Sequence, residues 1–207
     1  MKTLLKLNTS LYSNAGQSSR LTDEFVSAWL GNNHGAQVIT RDLARHPVPH
    51  LTEERFGALL SKPAARTVQQ QAVVTYSDTL IDELRRADVI VLGLPMYNFG
   101  VPSTLKAYFD HIARSGVTFR YTENGPVGLL QGKKVYVLAA RGGQYAGTPL
   151  DTETAYVRQI LGFLGMTDVE FVYAEGLAIS PAAKDAGIEQ AQRAIQTLNR
   201  DALPVAA

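Results

Sequence analysis

The sequence contains no cysteine, and this absence excludes several kinds of chemistry at once. Without a thiol there is no disulfide, no thiolate nucleophile and no cysteine-ligated metal site. No apolar run approaches the roughly 18 residues that a membrane-spanning helix needs. An excess of charge is also missing, because 20 Lys and Arg side chains oppose 19 Asp and Glu side chains, for a net charge of +1. Such a chain is not expected to carry a dedicated nucleic-acid surface.

The first residues lack the pattern of an export signal. The apolar part of residues 1–6 is too short for a signal peptide, so we expect a cytoplasmic protein that contacts neither a membrane nor nucleic acid. The chain has 207 residues, of which 45% are hydrophobic. That size suits one domain with its own core, so residues 1–207 are predicted to form a single domain.

The strongest pattern lies in the middle of the chain. Residues 89–92 form an unbroken apolar run rich in β-branched side chains, which is typical of a strand buried on both faces. The segment 95–99 that follows contains a proline, an amide and three large side chains that can pack on a flat ring. From Ser103 onward the apolar residues recur at helical spacing. The pattern therefore predicts a central strand that leads through an aromatic loop into a helix.

Four further segments have strand patterns, at residues 3–7, 37–40, 135–139 and 169–173, and helical patterns lie between them. This alternation predicts an α/β fold, a doubly wound five-stranded parallel sheet with helices on both faces. The expected strand order is the flavodoxin-like 2-1-3-4-5. Residues 116–126 alternate like a strand but end in Asn-Gly-Pro, so we expect them to lie outside the sheet.

Three loops leave carboxyl ends of strands in this arrangement, at residues 10–19, 96–99 and 140–143, and ligands bind at that edge of open α/β sheets. The first loop is rich in serine and precedes a helix, so backbone N–H groups and the helix dipole can hold a phosphate. The paired glycines of the third loop allow a close approach to a flat ring. Each loop also has a plain structural interpretation, as a helix cap, a cover for the core or a flexible turn. The side chain of Arg141 is interpreted as a solvated charge.

These segments together resemble the FMN-dependent NADH azoreductases and quinone reductases, over nearly the whole chain. The most specific motifs are Pro95-Met96-Tyr97-Asn98-Phe99, the run Gly-Val-Thr-Phe-Arg-Tyr-Thr-Glu-Asn-Gly-Pro at residues 116–126, and Arg141-Gly142-Gly143. The chain is identified by these motifs as a member of that family.

The resemblance implies one tightly bound FMN per subunit. The implied cofactor-binding residues are Ser10, Gly16, Gln17 and Ser18 around the phosphate, with Met96, Tyr97, Asn98, Phe99, Ala140, Arg141, Gly142 and Gly143 in the other two loops. It also implies a homodimer with active sites at the interface, where Tyr121 and Phe163 help to line the substrate pocket. Gly16 and Ala140 stand where many relatives have serine, so a phosphate or ring contact there must come from a backbone N–H group or be absent.

The resemblance implies an enzyme that transfers two electrons from NADH to quinones and azo compounds through the flavin, by a ping-pong mechanism. NADPH is considered as a second electron donor. We assign no catalytic side chain and no metal ligand, because the cofactor carries the chemistry and the four histidines lack ligand spacing. Two alternatives remain. A flavodoxin-like electron carrier would share the fold and the FMN but usually has an acidic excess. A phosphodiesterase-type hydrolase would need a metal cluster or an activated nucleophile.

Overall fold

In the computed structural model, which describes residues 1–201, five parallel strands form one sheet. The strands of the chain, in sequence order, are β1 (Thr3–Asn8), β2 (Gln37–Asp42), β3 (Val89–Pro95), β4 (Phe119–Thr122), β5 (Gly125–Gly128), β6 (Lys134–Ala140) and β7 (Asp168–Ala174). The sheet has the order β2-β1-β3-β6-β7, and β4 and β5 form a separate antiparallel hairpin. The predicted order and the predicted excursion at residues 116–126 are therefore both confirmed.

Helices cover both faces of the sheet. They are α1 (Gln17–Asn32), α2 (Glu53–Leu60), α3 (Val68–Arg86), α4 (Ser103–Ile112), α5 (Thr152–Leu164) and α6 (Pro181–Asp201). Buried side chains of α1 and α6 belong to one apolar cluster, and those of α3, α4 and α5 belong to the other. The sheet is thus doubly wound, as the alternation of patterns predicted.

Strand β3 lies at the centre because both of its faces are apolar. All seven of its residues are buried, with Ile90, Leu92 and Leu94 in the cluster of α3, α4 and α5. Val89 and Val91 point to the opposite cluster. Each fully buried side chain of this kind contributes about 1.5 to 3 kcal/mol relative to exposure. A continuous apolar run is stable only in such a doubly covered position.

The hairpin of β4 and β5 is fastened to the C-terminal end of α5. Phe119 packs on Phe163 with ring centroids 4.3 Å apart. The N–H group of Leu130 donates to the carbonyl of Leu164 at 2.9 Å. Gly165 ends α5 in the left-handed region, at φ 102°, where a side chain would be strained. The excursion is therefore an ordered part of the fold.

Within residues 1–201, no helix combines the length and the apolar character that crossing a membrane requires.

Candidate active site

The three loops meet at the carboxyl edge of the sheet, where hydrogen bonds join them. The hydroxyl of Tyr97 accepts from the N–H group of Leu11 at 3.2 Å and lies 3.4 Å from Oγ of Ser10. The N–H group of Met96 donates to the carbonyl of Ala140 at 3.1 Å. The first loop is thus connected to the second, and the second to the third, so a single ligand can contact all three.

The first loop is closed by a very short approach between Ser10 and Gly16. A Cβ atom on Gly16 would lie 2.1 Å from Oγ and 2.5 Å from Cβ of Ser10. The backbone of Gly16 is itself ordinary, at φ −67°, so the glycine is required by proximity and not by conformation. It is also the N-cap of α1, and no side chain in residues 1–201 caps that helix. The first N–H groups of α1 are therefore available to an anion.

The first turn of α1 contains polar groups that fit such an anion. Gln17 is half-buried, and Ser18 and Ser19 are fully buried. The hydroxyl groups of both serines have no hydrogen-bond partner within residues 1–201. An unsatisfied buried hydroxyl costs about 1 to 3 kcal/mol. A phosphate bound at the start of α1 would supply an acceptor oxygen for these two serine hydroxyl groups.

The second loop is a tight turn held in an uncommon backbone conformation. Tyr97 and Gly100 exchange two backbone hydrogen bonds of 3.0 Å each. The two residues between them, Asn98 at φ 52° and Phe99 at φ 61°, lie in the left-handed region, as in a type I′ turn. For a bulky residue such as phenylalanine this conformation costs roughly 1 to 3 kcal/mol and is concentrated at ligand sites. The hydroxyl of Thr152 donates to the carbonyl of Phe99 and anchors the turn to α5.

The third loop is tied down on one side only. The N–H group of Arg141 donates to Ala174, and the carbonyl of Arg141 accepts from Leu177. The carbonyls of Gly142 and Gly143 each accept a 2.9 Å hydrogen bond from the segment 176–178. The N–H groups of these two glycines have no acceptor among the described residues. They are the donors that this loop can offer to a ligand.

The sequence-based expectation that the side chain of Arg141 is a solvated charge is wrong. It is completely buried, and its guanidinium donates to Asp151 at 2.8 Å and to Glu175 at 3.3 Å. It also lies over the ring of Tyr173, 4.9 Å from the centroid. Both backbone groups and the side chain of Arg141 are therefore used inside the protein. The side chain thus lies under the loop, and contact between Arg141 and FMN stays a prediction.

Glu153 is a buried acid beside Arg141 that the sequence-based analysis did not select. Its carboxyl group is wholly buried, 3.5 Å from Nε of Arg141, and neither oxygen makes a hydrogen bond within residues 1–201. Burial raises the pKa of Glu153 to about 8, although the charge of Arg141 opposes this. Glu153 therefore holds a proton at neutral pH. It also lines a cavity of about 610 Å³ with Phe99 and Tyr156.

Tyr121 and Phe163 are not brought to the three loops within one chain. Both pack on Phe119, with Tyr121 edge-on at 5.5 Å and Phe163 at 4.3 Å. The ring of Phe99 instead contacts Tyr145, at 5.7 Å. Tyr121 is 72% exposed and lies at the edge of a cavity of about 220 Å³ next to α2. If these aromatic residues contribute to the same site as the loops, a second copy of the chain must supply them.

Comparisons with known proteins identify the family. A family profile described as "Flavodoxin-like fold" matches residues 1–198. The FMN-dependent NADH:quinone oxidoreductase of Cellvibrio japonicus (strain Ueda107) is 53% identical over 196 residues, which are 95% of this chain and 98% of that protein. The chain belongs to the FMN-dependent NADH:quinone oxidoreductase family. The predicted resemblance is thereby confirmed.

Solved structures similar to this family member include azoreductases. The azoreductase of Bacillus anthracis str. Sterne has a TM-score of 0.84 and 28% identity, over 95% of this chain and 100% of that one. An FMN-dependent NADH-azoreductase of Bacillus anthracis str. Ames Ancestor, solved in complex with FMN, has a TM-score of 0.85 and 25% identity, over 96% and 100%. The doubly wound fold is therefore shared along nearly the full length.

The site of this oxidoreductase family member thus combines predicted residues with others that the sequence-based analysis missed. The predicted residues that lie in the three connected loops are Ser10, Gly16, Gln17, Ser18, Met96, Tyr97, Asn98, Phe99, Ala140, Arg141, Gly142 and Gly143. Their contact with FMN stays a prediction. The missed residues are Tyr145, Thr152 and Glu153, which support the loops from α5 and from the segment before it. Among residues 1–201, no three His, Cys, Asp or Glu side chains are grouped so as to hold a metal ion.

Proposed function

We propose that the protein is an FMN-dependent NADH oxidoreductase that reduces quinones and azo compounds, with NADPH as a second donor to be tested. One observation carries the proposal: donors without a partner in residues 1–201 follow the carboxyl ends of β1 and β6, which lie on either side of β3, in a member of the FMN-dependent NADH:quinone oxidoreductase family. Such an edge is where open α/β sheets bind their ligands. The chain acts in this proposal as one FMN-binding domain in the cytoplasm, without nucleic-acid or membrane partners.

The chemistry of the donors fits FMN. The phosphate is held at the start of α1, by the N–H groups that follow Gly16 and by the hydroxyls of Ser10 and Ser18. Tyr97 and the N–H groups of Gly142 and Gly143, in the second and third loops, would hold the flavin ring. When bound, FMN supplies the two-electron transfer from NADH to the oxidant, in two half-reactions at one site.

The side chains around the ring bind and orient flat molecules. Phe99 is 53% exposed and contacts Tyr145 edge-on, which leaves an aromatic surface at the mouth of the site. Aromatic surfaces favour flat, apolar partners over any particular functional group. The glycine N–H groups stabilise negative charge at the edge of the ring because they are fixed donors. No side chain needs to act as acid or base.

The electron-carrier and hydrolase alternatives are not favoured. The relatives and the similar structures are named as quinone oxidoreductases and azoreductases. The net charge of +1 also lacks the acidic excess with which carriers dock.

A homodimer with two active sites at its interface completes the proposal. Tyr121 is exposed and packs on Phe119 together with Phe163, and Phe99 and Leu150 are exposed in or near the loops. Pairing two copies would cover these apolar side chains and add Tyr121 to the partner's site. Sedimentation should give twice the monomer mass, and Tyr121→Ala should raise KM for quinones severalfold with FMN still bound. A monomer with full activity would contradict the dimer.

The visible absorption spectrum tests the proposed function. Protein mixed with FMN and freed of excess should be yellow, lose its flavin bands on anaerobic addition of NADH in one two-electron step, and regain them on addition of a quinone. Double-reciprocal plots of the steady-state rate should be parallel, because donor and oxidant use one site in turn. A protein that retains no flavin would overturn the proposal, and intersecting lines would overturn the ping-pong order.

A further inference from the structure

Arg141 is a buried cation placed directly beneath the third loop. Its side chain has no solvent exposure, and its partners come from separate parts of the chain. Asp151 is the N-cap of α5, Glu175 follows β7, and Tyr173 lies within β7. An arginine can satisfy all of them because its planar group has five donors in a fixed fork. One side chain thus links three elements that meet at the site.

Glu175 extends this link to the far end of the loop. One of its carboxylate oxygens accepts from the guanidinium of Arg141 at 3.3 Å and from the N–H groups of Tyr145 and Ala146 at 2.9 Å each. The segment from 141 to 146 is therefore fixed at both ends by one ion pair. The carbonyls of Arg141 and Gly142 accept from the N–H groups of Leu177 and Ala178. In a trans peptide unit the N–H group points away from the carbonyl, so the N–H groups of Gly142 and Gly143 are turned away from the segment 176–178.

The crowding of acids around Arg141 disfavours three negative charges in this place. Asp151, Glu153 and Glu175 all lie within 3.5 Å of the guanidinium. Three charged carboxylates around one cation would leave a net charge of −2 in a buried space beside a proposed anion site. Buried charge without a partner is strongly unfavourable. Glu153 is the acid whose oxygens make no hydrogen bond within residues 1–201, and burial raises its pKa to about 8, so we expect it to carry the proton.

We propose, resting on the FMN-dependent function above, that Arg141 is a positioning residue of the flavin site. Its guanidinium, paired with Asp151 and Glu175 beside a neutral Glu153, aims the N–H groups of Gly142 and Gly143 at the flavin ring. Arg141 itself touches neither cofactor nor substrate. Lysine at this position would keep the charge but lose the fork, so the loop would no longer be fixed at both ends.

The test compares flavin binding by wild-type protein, Arg141→Lys and a matched control, Arg158→Lys. Arg158 also stacks on an aromatic ring, that of Phe171 at 4.8 Å, but it belongs to none of the three loops. Quenching of flavin fluorescence gives the Kd for FMN and for riboflavin. We expect Arg141→Lys to weaken both by about tenfold or more, because the lost contacts are to the ring they share. The midpoint potential of bound flavin should fall, since fewer fixed donors stabilise the reduced, more negative ring. The control variant, Arg158→Lys, should leave the two Kd values and the midpoint potential unchanged.

Two further variants keep the proposal falsifiable should Arg141→Lys fold poorly. Glu175→Gln keeps an oxygen for the N–H groups of Tyr145 and Ala146 but loses the ion pair. It should lower the affinity for FMN and for riboflavin severalfold. Glu153→Gln replaces a neutral acid with a neutral amide of the same shape, and it should keep both affinities within about twofold.

The outcomes separate this inference from the proposed function. Wild-type affinities and potential in folded Arg141→Lys, or in Glu175→Gln, would overturn the positioning role. A large loss of affinity in Glu153→Gln would overturn the neutral state of Glu153. A wild-type protein that binds no flavin would overturn the FMN-dependent function itself.

Discussion

Replacing Gln17 with glutamate is expected to weaken FMN binding about 100-fold while leaving riboflavin binding unchanged. Gln17 is the first residue of α1, directly after the Gly16 cap, where the phosphate is proposed to bind. Like charges about 4 Å apart near a protein surface repel by about 4 kcal/mol. A 100-fold loss corresponds to about 2.7 kcal/mol. Riboflavin lacks the phosphate, so the added carboxylate has no anion to repel.

The same substitution should not destabilise the apoprotein, which separates binding from folding. A negative charge in the first turn of a helix interacts favourably with the helix dipole, by about 0.3 to 1 kcal/mol. Gln69→Glu is the matched control, because Gln69 is exposed in the first turn of α3 and belongs to none of the three loops. It should bind FMN as the wild type does. Equal losses for FMN and riboflavin in Gln17→Glu would place the phosphate elsewhere.

Replacing Gly128 with alanine is expected to lower the free energy of unfolding by about 3 kcal/mol. A Cβ atom on Gly128 would lie 2.0 Å from the backbone nitrogen of Gly165 and 2.3 Å from the carbonyl carbon of Leu164. Both are backbone atoms, so the hairpin of β4 and β5 must move away from α5 instead of a side chain rotating. Urea unfolding followed by circular dichroism measures the loss, and the melting temperature should fall by roughly 10 °C.

Gly31→Ala is the matched control for this substitution. Gly31 lies inside α1, and a Cβ atom there would meet no atom of residues 1–201 within 4 Å. Alanine should therefore stabilise the protein, by about 0.5 to 1 kcal/mol, because it reduces the freedom of the unfolded chain. Replacing glycine with alanine is thus expected to destabilise the protein at position 128 and to stabilise it at position 31. A Gly128→Ala protein as stable as the wild type would mean that the hairpin is not packed on α5 as described.

The sequence alone was sufficient for the architecture. The run from Val89 to Leu92 predicts a strand covered on both faces, because apolar side chains on both faces can be buried only between two layers of helices. The alternation of strand and helix patterns predicts the doubly wound sheet, and the sheet places three loops at one edge. These are consequences of local periodicity, which depends on residues within a few positions of one another.

The tertiary structure alone decided how the site is held together. Arg141 looks like a surface charge in the sequence because its partners Asp151 and Glu175 lie 10 and 34 positions away. The need for glycine at position 16 arises only because Ser10 lies against it. The separation of Tyr121 from the loops likewise depends on where the hairpin docks on α5. Periodicity records whether a residue faces an apolar layer. It carries no information on which distant polar group will meet it, because that depends on the packing of elements that are already formed.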